Sequence, residues 1–407
     1  MTSIMKTRML AVLSIGVLIP VACGTEDNSR QTDRPAPRLT VGVKSDQPGI
    51  GMRNPDGSYR GFDVDVARYV ARKLGVAPGD TVWKEVRSDN REEAIDTGAV
   101  DIVVASYSID KQRRDRIGFA GPYFIAGQSL LVRADDTDIS GPESLDGKKV
   151  CSAKGSTSAD KIKSDFSPQV QLVQRGTYSD CVAGLRDHSV DAVTTDDVIL
   201  AGYAAQNPGQ FKLVGKPFTR EYYGIGVKKS DKARQDRITS AISDMISDGS
   251  WQAAFDRNIG PSGYPAPPPP AVFGRSDTAA SGTGKVDPDL AAAVQTGVDA
   301  IVAKNVDQLT GMACPAIRAR AATILSQTLP FDDPNVAHEL GGVQPHVDVV
   351  GISQTGNRAE SFTHVSFGNV PDKYKQYVKL EDGAVDWQKV NGQWLWCDAG
   401  GYFTEMQ

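Results

Sequence analysis

The sequence predicts an α/β protein of two similar lobes followed by a smaller α+β domain. Short apolar runs alternate with amphipathic helical patterns from about residue 39, and the same rhythm restarts at Lys149. A proline run, Pro267 to Pro270, then separates this region from one in which helices come first and strands follow. Alternating strands and helices build largely parallel sheets with helices on their faces. Helices followed by a meander instead place the helices on one side of an antiparallel sheet.

At the N-terminus, Lys6 and Arg8 precede an apolar run from Met9 to Ile19, broken by Ser14 and Gly16, that ends at Val21-Ala22-Cys23-Gly24. The run is short for a bilayer span, which takes about 20 residues, and it reads as a cleaved export signal over residues 1–22. Small residues ahead of a cysteine, with polar residues after it, resemble the bacterial lipobox, although Pro20 stands where that motif usually has Leu. The resemblance implies that Cys23 is acylated, palmitate included, and becomes the mature N-terminus. The protein would then sit on the outer face of the cytoplasmic membrane, with 23–37 as a flexible tether. An ordinary secretory signal with an incidental cysteine is the alternative.

Composition fits an exported globular protein, with 23% charged and 40% hydrophobic residues and no second segment apolar enough to span a membrane. A formal net charge of −5 argues against a nucleic-acid partner. With Cys23 given to lipid, four cysteines remain in an oxidising compartment, which permits three pairings. Domain order selects Cys151 with Cys181 and Cys314 with Cys397. The length of 407 suggests two or three domains. The boundaries fall at 38–262 for the first unit, 263–286 for a Pro, Gly and Ser-rich linker and 287–407 for the second unit.

In the first unit, Leu39 to Val43 reads as a strand. Phe62 to Leu74 reads as a helix with Phe62, Val66, Tyr69, Val70 and Leu74 on one face and Gly75 as its left-handed stop. A strand at Thr81 to Val86, a helix from about Asn90 to Asp96 and a strand at Asp101 to Ala105 complete the first repeat. The second has strands at Lys149 to Ala153, Val170 to Val173 and Asp191 to Thr195, with helices after Ser156 and from about Ser179 to Arg186. Each lobe is expected to hold a mostly parallel sheet. In such sheets ligands bind beyond the carboxyl ends of the strands, and those ends are polar here. Lys44, Ser88, Arg91 and the Ser106-Tyr107-Ser108 to Arg113 run follow strands of the first repeat. Gly155-Ser156-Thr157-Ser158, Thr177-Tyr178 and Asp196-Asp197 follow strands of the second.

The runs Val103 to Ile109 with Arg113, and Phe119-Ala120-Gly121-Pro122-Tyr123, resemble the polar-amino-acid-binding proteins of bacterial ABC importers. Gly155 to Ser158, Thr195-Asp196-Asp197 and Tyr222-Tyr223-Gly224-Ile225-Gly226 are similar to the actinobacterial glutamate-binding members. The resemblance covers residues 38–262 and implies a type II periplasmic-binding-protein fold with a hinge. Its first lobe would hold about 38–127 and 222–262 and its second about 128–221, with crossings near Gln128 to Arg133 and Arg220 to Lys228. It also implies roles. Arg113 would grip an α-carboxylate, helped by Ser106, Ser108 and the Thr157 loop, and Asp196 would pair with the α-ammonium, with Asp197 its rival. Tyr178 would face the ligand side chain. Lys44 and Arg91 then remain for a side-chain carboxylate, with Ser88 at a helix N-terminus beside them, which favours glutamate over aspartate or glutamine. Taken singly, Lys44 and Arg91 read as solvated charges, Ser88 as a helix cap and Tyr178 as a core aromatic. Complementary charges on facing strand ends are what give the set a ligand. Asp101 and Asp191, at strand starts, read as structural.

In the second unit Asp287-Pro288-Asp289 caps a helix with Leu290, Val294, Val298 and Ile301 on one face, and a second helix is expected through Cys314 to about Gln327. Strands follow at His346 to Ile352, Ala359 to Phe367, Tyr374 to Leu380 and Gly392 to Cys397, with Asn391-Gly392 as a hairpin turn. This pattern resembles nuclear-transport-factor-2-like domains. His338, His346 and His364 have no metal-ligand spacing, and no nucleophile, acid and base set is present, so neither metal nor cofactor nor enzymatic activity is expected. Three functions compete: a monomeric receptor delivering an acidic amino acid to an ABC permease, a sensor signalling to a membrane partner, and an enzyme on the same fold. The last is disfavoured because the strand-end groups are already committed to ligand charges.

Overall fold

The computed structural model describes residues 37–270, 272, 287–303, 305–315, 317–318, 345–367 and 382–398. The expected signal, Cys23, the tether up to residue 36, the linker from 273 to 286, the expected second helix beyond Arg318, His338 and the expected strand at Tyr374 to Leu380 lie outside them.

In the first lobe β1 (Leu39–Val43) is buried along most of its length, as a central parallel strand should be. β2 (Asp46–Gln47), β3 (Gly51–Arg53) and β4 (Tyr59–Arg60) form a small antiparallel sheet too short to leave a periodic signal. α1 (Phe62–Lys73) buries Phe62, Val66, Tyr69 and Val70, and Gly75 follows with φ of 84°. β5 (Thr81–Glu85), α2 (Arg91–Asp96), β6 (Ile102–Val103), α3 (Lys111–Arg116) and β7 (Gly118–Ala126) come next. The second lobe holds β8 (Gln128–Arg133), β9 (Lys149–Ala153), α4 (Thr157–Lys161), β10 (Gln171–Arg175), α5 (Tyr178–Arg186), β11 (Ala192–Asp196), α6 (Asp197–Gln206) and β12 (Phe211–Val214). The chain returns in β13 (Glu221–Val227) and closes the first lobe with α7 (Lys232–Ser247) and α8 (Ser250–Asn258).

The two sheets have the orders β5-β1-β6-β13-β7 and β10-β9-β11-β8-β12. Each joins parallel pairs at one edge to antiparallel pairs at the other, so the sheets are mixed rather than mostly parallel. The antiparallel strands are those that carry the chain between lobes, which explains their direction. The expected crossing segments are corrected in the same way: Gln128–Arg133 is a second-lobe strand and most of Arg220 to Lys228 a first-lobe strand. The crossings themselves are Gly127 and residues 215–220. They pack on each other, since a Cβ on Gly127 would lie 2.6 Å from Pro217 Cβ and 2.7 Å from the Thr219 carbonyl oxygen. An aromatic core of Phe62, Phe124, Tyr223 and Trp251 sits behind the crossings, with Trp251 Nε1 donating to the Tyr123 carbonyl at 2.7 Å. Cys151 on β9 is bonded to Cys181 on α5.

The C-terminal domain opens with α9 (Pro288–Val302), capped by the Asp287 side chain, which accepts from Asp289 N–H. α10 (Val306–Gly311) stops ahead of Cys314, contrary to the expected helix through that residue. The backbone there joins the sheet instead, with Cys314 N–H donating to the Trp396 carbonyl at 2.8 Å. β14 (Pro345–Thr355), β15 (Arg358–Phe367), β16 (Asp382–Val390) and β17 (Gln393–Asp398) form an antiparallel meander. The turn between the last two has positive φ at Asn391 and Gly392, as such a two-residue hairpin requires. Leu290, Val294, Trp387, Trp394 and Trp396 form its core, and Cys314 is bonded to Cys397.

Candidate functional site

The strand ends of the first lobe converge on Tyr107. Lys44, just beyond β1, donates to Ser88 Oγ at 2.7 Å, and both are buried. Ser88 is not a helix cap; that position belongs to Asn90, whose side chain accepts from Arg87 N–H. Arg91 opens α2 and donates to the Ala105 and Ser106 carbonyls at 3.2 and 3.3 Å. Arg113 on α3 donates to the Ser108 carbonyl at 2.8 Å and is met by Asp110 at 3.2 Å and Glu92 at 3.5 Å. The Arg91 and Arg113 guanidinium carbons lie 4.1 and 5.2 Å from the Tyr107 ring centre, close enough for cation–π attraction.

Across the cleft, Arg91 and Arg113 both donate to the Gly155 carbonyl, at 3.5 and 3.1 Å. A Cβ on Gly155 would sit 2.7 Å from Asp89 Cα, so only glycine lets the lobes approach this closely. Asp46 completes the contact by accepting from Ser179 N–H at 3.1 Å, while its carbonyl accepts from Tyr203 at 2.6 Å. Asp196, ending β11, accepts from Tyr223 O–H through Oδ2 at 2.5 Å, while its buried Oδ1 has no hydrogen-bond partner. Tyr178 is buried at the start of α5, within electrostatic reach of both Asp196 and Arg91. Asp197 is engaged elsewhere, accepting from Gly127 N–H at the crossing and from Val198 N–H. The half-buried Thr157 gives its hydroxyl to Glu221 at 3.1 Å.

Burial dominates the electrostatics. It pulls the Lys44 ammonium down to about 7, with Arg91 adding repulsion, and lowers the Arg91 guanidinium as well. Burial, with Glu221 nearby, pushes the Asp196 carboxyl up to about 8. Among the described residues, neither Lys44 nor Arg91 has a carboxylate at ion-pairing distance, so both cations are poorly compensated.

Three further residues belong to this neighbourhood and were not foreseen. Gln47 is fully buried, accepts from Ser106 Oγ at 3.0 Å and leaves Nε2 without a partner. Asp63 accepts from Ser106 N–H at 2.7 Å and Tyr123 O–H at 2.8 Å, and burial pushes its carboxyl up to about 7. It holds Ser106 at φ of 42°, a left-handed conformation costly for a non-glycine residue. Glu221 is buried between Thr157, Thr219 and Lys161. Sequence held signals for two of them: Asp63 shares a helix face with Val66 and Val70, and Glu221 alternates with Tyr223 and Ile225. Gln47, in a two-residue strand, left none.

A cleft between two mixed α/β lobes, with cations at one wall and a carboxylate at the other, defines a binding protein for a small zwitterion. Residues 39–261 match the bacterial extracellular solute-binding proteins, family 3, and the chain belongs to that family. It is 44% identical over 271 residues to the glutamate-binding protein GluB of Corynebacterium efficiens, covering 63% of this chain and 92% of that protein. Identity to GluB of Corynebacterium glutamicum is 47% over 232 residues, covering 54% of this chain and 78% of that one. The ABC transporter glutamine-binding protein GlnH of Bacillus subtilis is 33% identical over 268 residues, covering 62% and 97%. Among solved structures, an ancestral arginine-binding protein bound to glutamine superposes with a TM-score of 0.52 at 33% identity, covering 55% of this chain and 98% of that one. An ancestral amino acid-binding protein described as a precursor of cyclohexadienyl dehydratase superposes at 0.50 with 27% identity, covering 55% and 95%.

Proposed function

We propose that this chain is a lipid-anchored receptor that captures glutamate outside the cytoplasmic membrane and hands it to an ABC permease. The observation that carries the ligand is the imbalance of buried charge. Among the described residues Lys44 and Arg91 lack anionic partners, while Asp196 Oδ1 lacks a donor. Buried charges left so cost several kcal/mol, which a ligand of matching charges relieves. Arg113 keeps N–H groups beyond its bonds to Ser108, Asp110 and Gly155 and presents them to the α-carboxylate, with Ser106, Ser108 and the Thr157 loop alongside. Asp196 takes the α-ammonium. Lys44, Arg91 and Ser88 take the side-chain carboxylate, with Gln47 Nε2 as a further donor and Tyr178 against the ligand's methylenes. In this reading the charged groups assigned here serve to hold the ligand, and the chain acts as a binding protein. The C-terminal domain, of nuclear-transport-factor-2-like type in this reading, takes no part in the cleft.

Calorimetry of the delipidated protein against free amino acids tests the assignment. Glutamate is expected to bind tightest, with aspartate weaker because it reaches one methylene less. Glutamine is expected to lose roughly 2 to 5 kcal/mol, since its amide leaves one cation unpaired. Arg91→Met should erode the discrimination between glutamate and glutamine, whereas Arg113→Met should weaken both alike. Equal losses for both ligands in the two variants, or a parent that prefers glutamine, would refute this division of roles.

A further inference from the structure

We propose that the C-terminal sheet docks on the hinge and that this docking is coupled to lobe closure, so that ligand capture and docking stabilise each other. The coupling rests on the amino-acid-binding reading of the cleft. Arg220 is the last residue of the return crossing. Its guanidinium meets Glu360 of β15 at 3.1 Å and both oxygens of Asp386 of β16 at 3.1 and 3.0 Å. Nη2 donates to both Asp386 oxygens, while Nη1 faces Glu360 as a charge contact without a hydrogen bond. A cavity of about 440 Å³ adjoins this contact. It is walled by Ile125, two residues ahead of the first crossing, by Arg220 of the second, by Pro267 and Pro268 of the linker, and by Arg358 and Trp387 of the C-terminal sheet. The second crossing, and the end of β7 that leads into the first, therefore border the appended domain.

The neighbouring residue bonds to the opposite side. Glu221 accepts from Thr157 and lies 3.4 Å from Lys161, both on α4 of the second lobe. Just ahead of that helix, the Gly155 carbonyl receives the two arginines from across the cleft. Two consecutive residues thus link the C-terminal sheet to the second-lobe wall of the site. Hinge closure is absorbed by dihedral changes in a few crossing residues. In this proposal, a rotation between these adjacent residues strains the Arg220 contacts, the Glu221 contacts or both. The docked sheet consequently selects one lobe arrangement, the one in which the cleft walls touch. Linkage then requires docking to raise ligand affinity and ligand to strengthen docking by the same factor.

The test uses the full delipidated chain with glutamate as probe and the double variant Glu360→Gln with Asp386→Asn, which leaves every cleft residue unchanged. Its glutamate affinity is expected to fall by about 5-fold or more. Saturating glutamate should slow amide hydrogen exchange in β15 and β16 of the parent and leave it unchanged in the variant. Arg220→Met should cause the same loss of affinity, and combining it with the double variant should add nothing further. Affinity within about twofold of the parent, even with a lowered melting temperature, or β15 and β16 exchange indifferent to glutamate in the parent, would overturn the coupling. A parent that binds no amino acid would overturn the ligand reading and the coupling with it, and that result appears before any variant is made.

Discussion

Lys44 and Asp196 carry opposite charges, yet burial moves each toward neutrality, and this shapes how the site answers pH. A side-chain carboxylate needs Lys44 protonated, which in the free protein holds below about 7. An α-ammonium needs Asp196 ionised, which holds above about 8. Glutamate affinity should therefore peak between these values and fall on either side, each limb approaching about tenfold per pH unit, with proton uptake at Lys44 and release at Asp196 on binding. Titration calorimetry in buffers of different ionisation enthalpy measures both; an affinity flat from about pH 6 to 9 would contradict it. Asp63 acts on stability instead. Its buried carboxyl, pushed up to about 7 from 3.8, retains its proton in the fold where the unfolded chain gives it up. Stability is therefore full below 3.8 and declines as pH rises to about 7. Asp63→Asn should flatten that slope in denaturant unfolding. Asp63→Ala should cost about 2 kcal/mol or more by orphaning Ser106 N–H and Tyr123 O–H. Lys44, Arg91, Arg113 and Asp196 could be singled out in the sequence because each follows a recognisable strand or motif. Gln47 could not, since its importance lies in the Ser106 hydroxyl it meets, 59 positions away.

The two lobes repeat one device at the level of elements. Asp101, ahead of β6, accepts from Thr40 N–H of β1 at 2.7 Å, and Asp191, ahead of β11, accepts from Lys149 N–H of β9 at 2.8 Å. Each carboxylate thereby joins the start of one parallel strand to the start of its neighbour, a structural role the sequence had indicated. Helices and central strands were legible because their buried faces repeat at 3.6 and 2 residues. β16 was not. Its Asp382-Gly383-Ala384 start lacks β-forming side chains, and Trp387, packed in the domain core, supplies the anchor. The hinge was misplaced because β8 and β13 carry apolar runs like any strand, while the bend falls on Gly127 and its contact with Pro217. The second lobe's β9 and α5 are tied by Cys151–Cys181, which closes a separation of 30 residues. Replacing both cysteines by alanine should lower the unfolding free energy of that lobe by about 3 to 4 kcal/mol in the chain-entropy account. The substitution should leave glutamate affinity nearly intact, because neither sulfur belongs to the proposed site. Denaturant titrations with and without glutamate separate the two effects, and a loss confined to affinity would contradict this.

On the scale of the whole molecule, the proline run marks a change of architecture: α/β lobes before it, a meander with helices after it. Composition alone could reveal that boundary, because a spacer is written in residue type. How the appended domain contacts the hinge could not be read, since Arg220 and Asp386 stand 166 positions apart and no local pattern joins them. The proposed attachment to the membrane rests on Cys23. Acyl chains carried by that cysteine would each contribute about 0.8 kcal/mol per buried CH₂, so two or three chains make release negligible. Cys23→Ser removes the acceptor thiol while leaving every proposed ligand contact, all between Lys44 and Asp196, untouched. The variant is expected to leave the membrane fraction for the medium and to bind glutamate as the parent does. Fractionation with calorimetry on the released protein measures both. A variant as firmly membrane-bound as the parent would refute anchoring through Cys23. A released variant with weakened binding would instead show that the anchor contributes to capture, which the distribution of charge in the cleft gives no reason to expect.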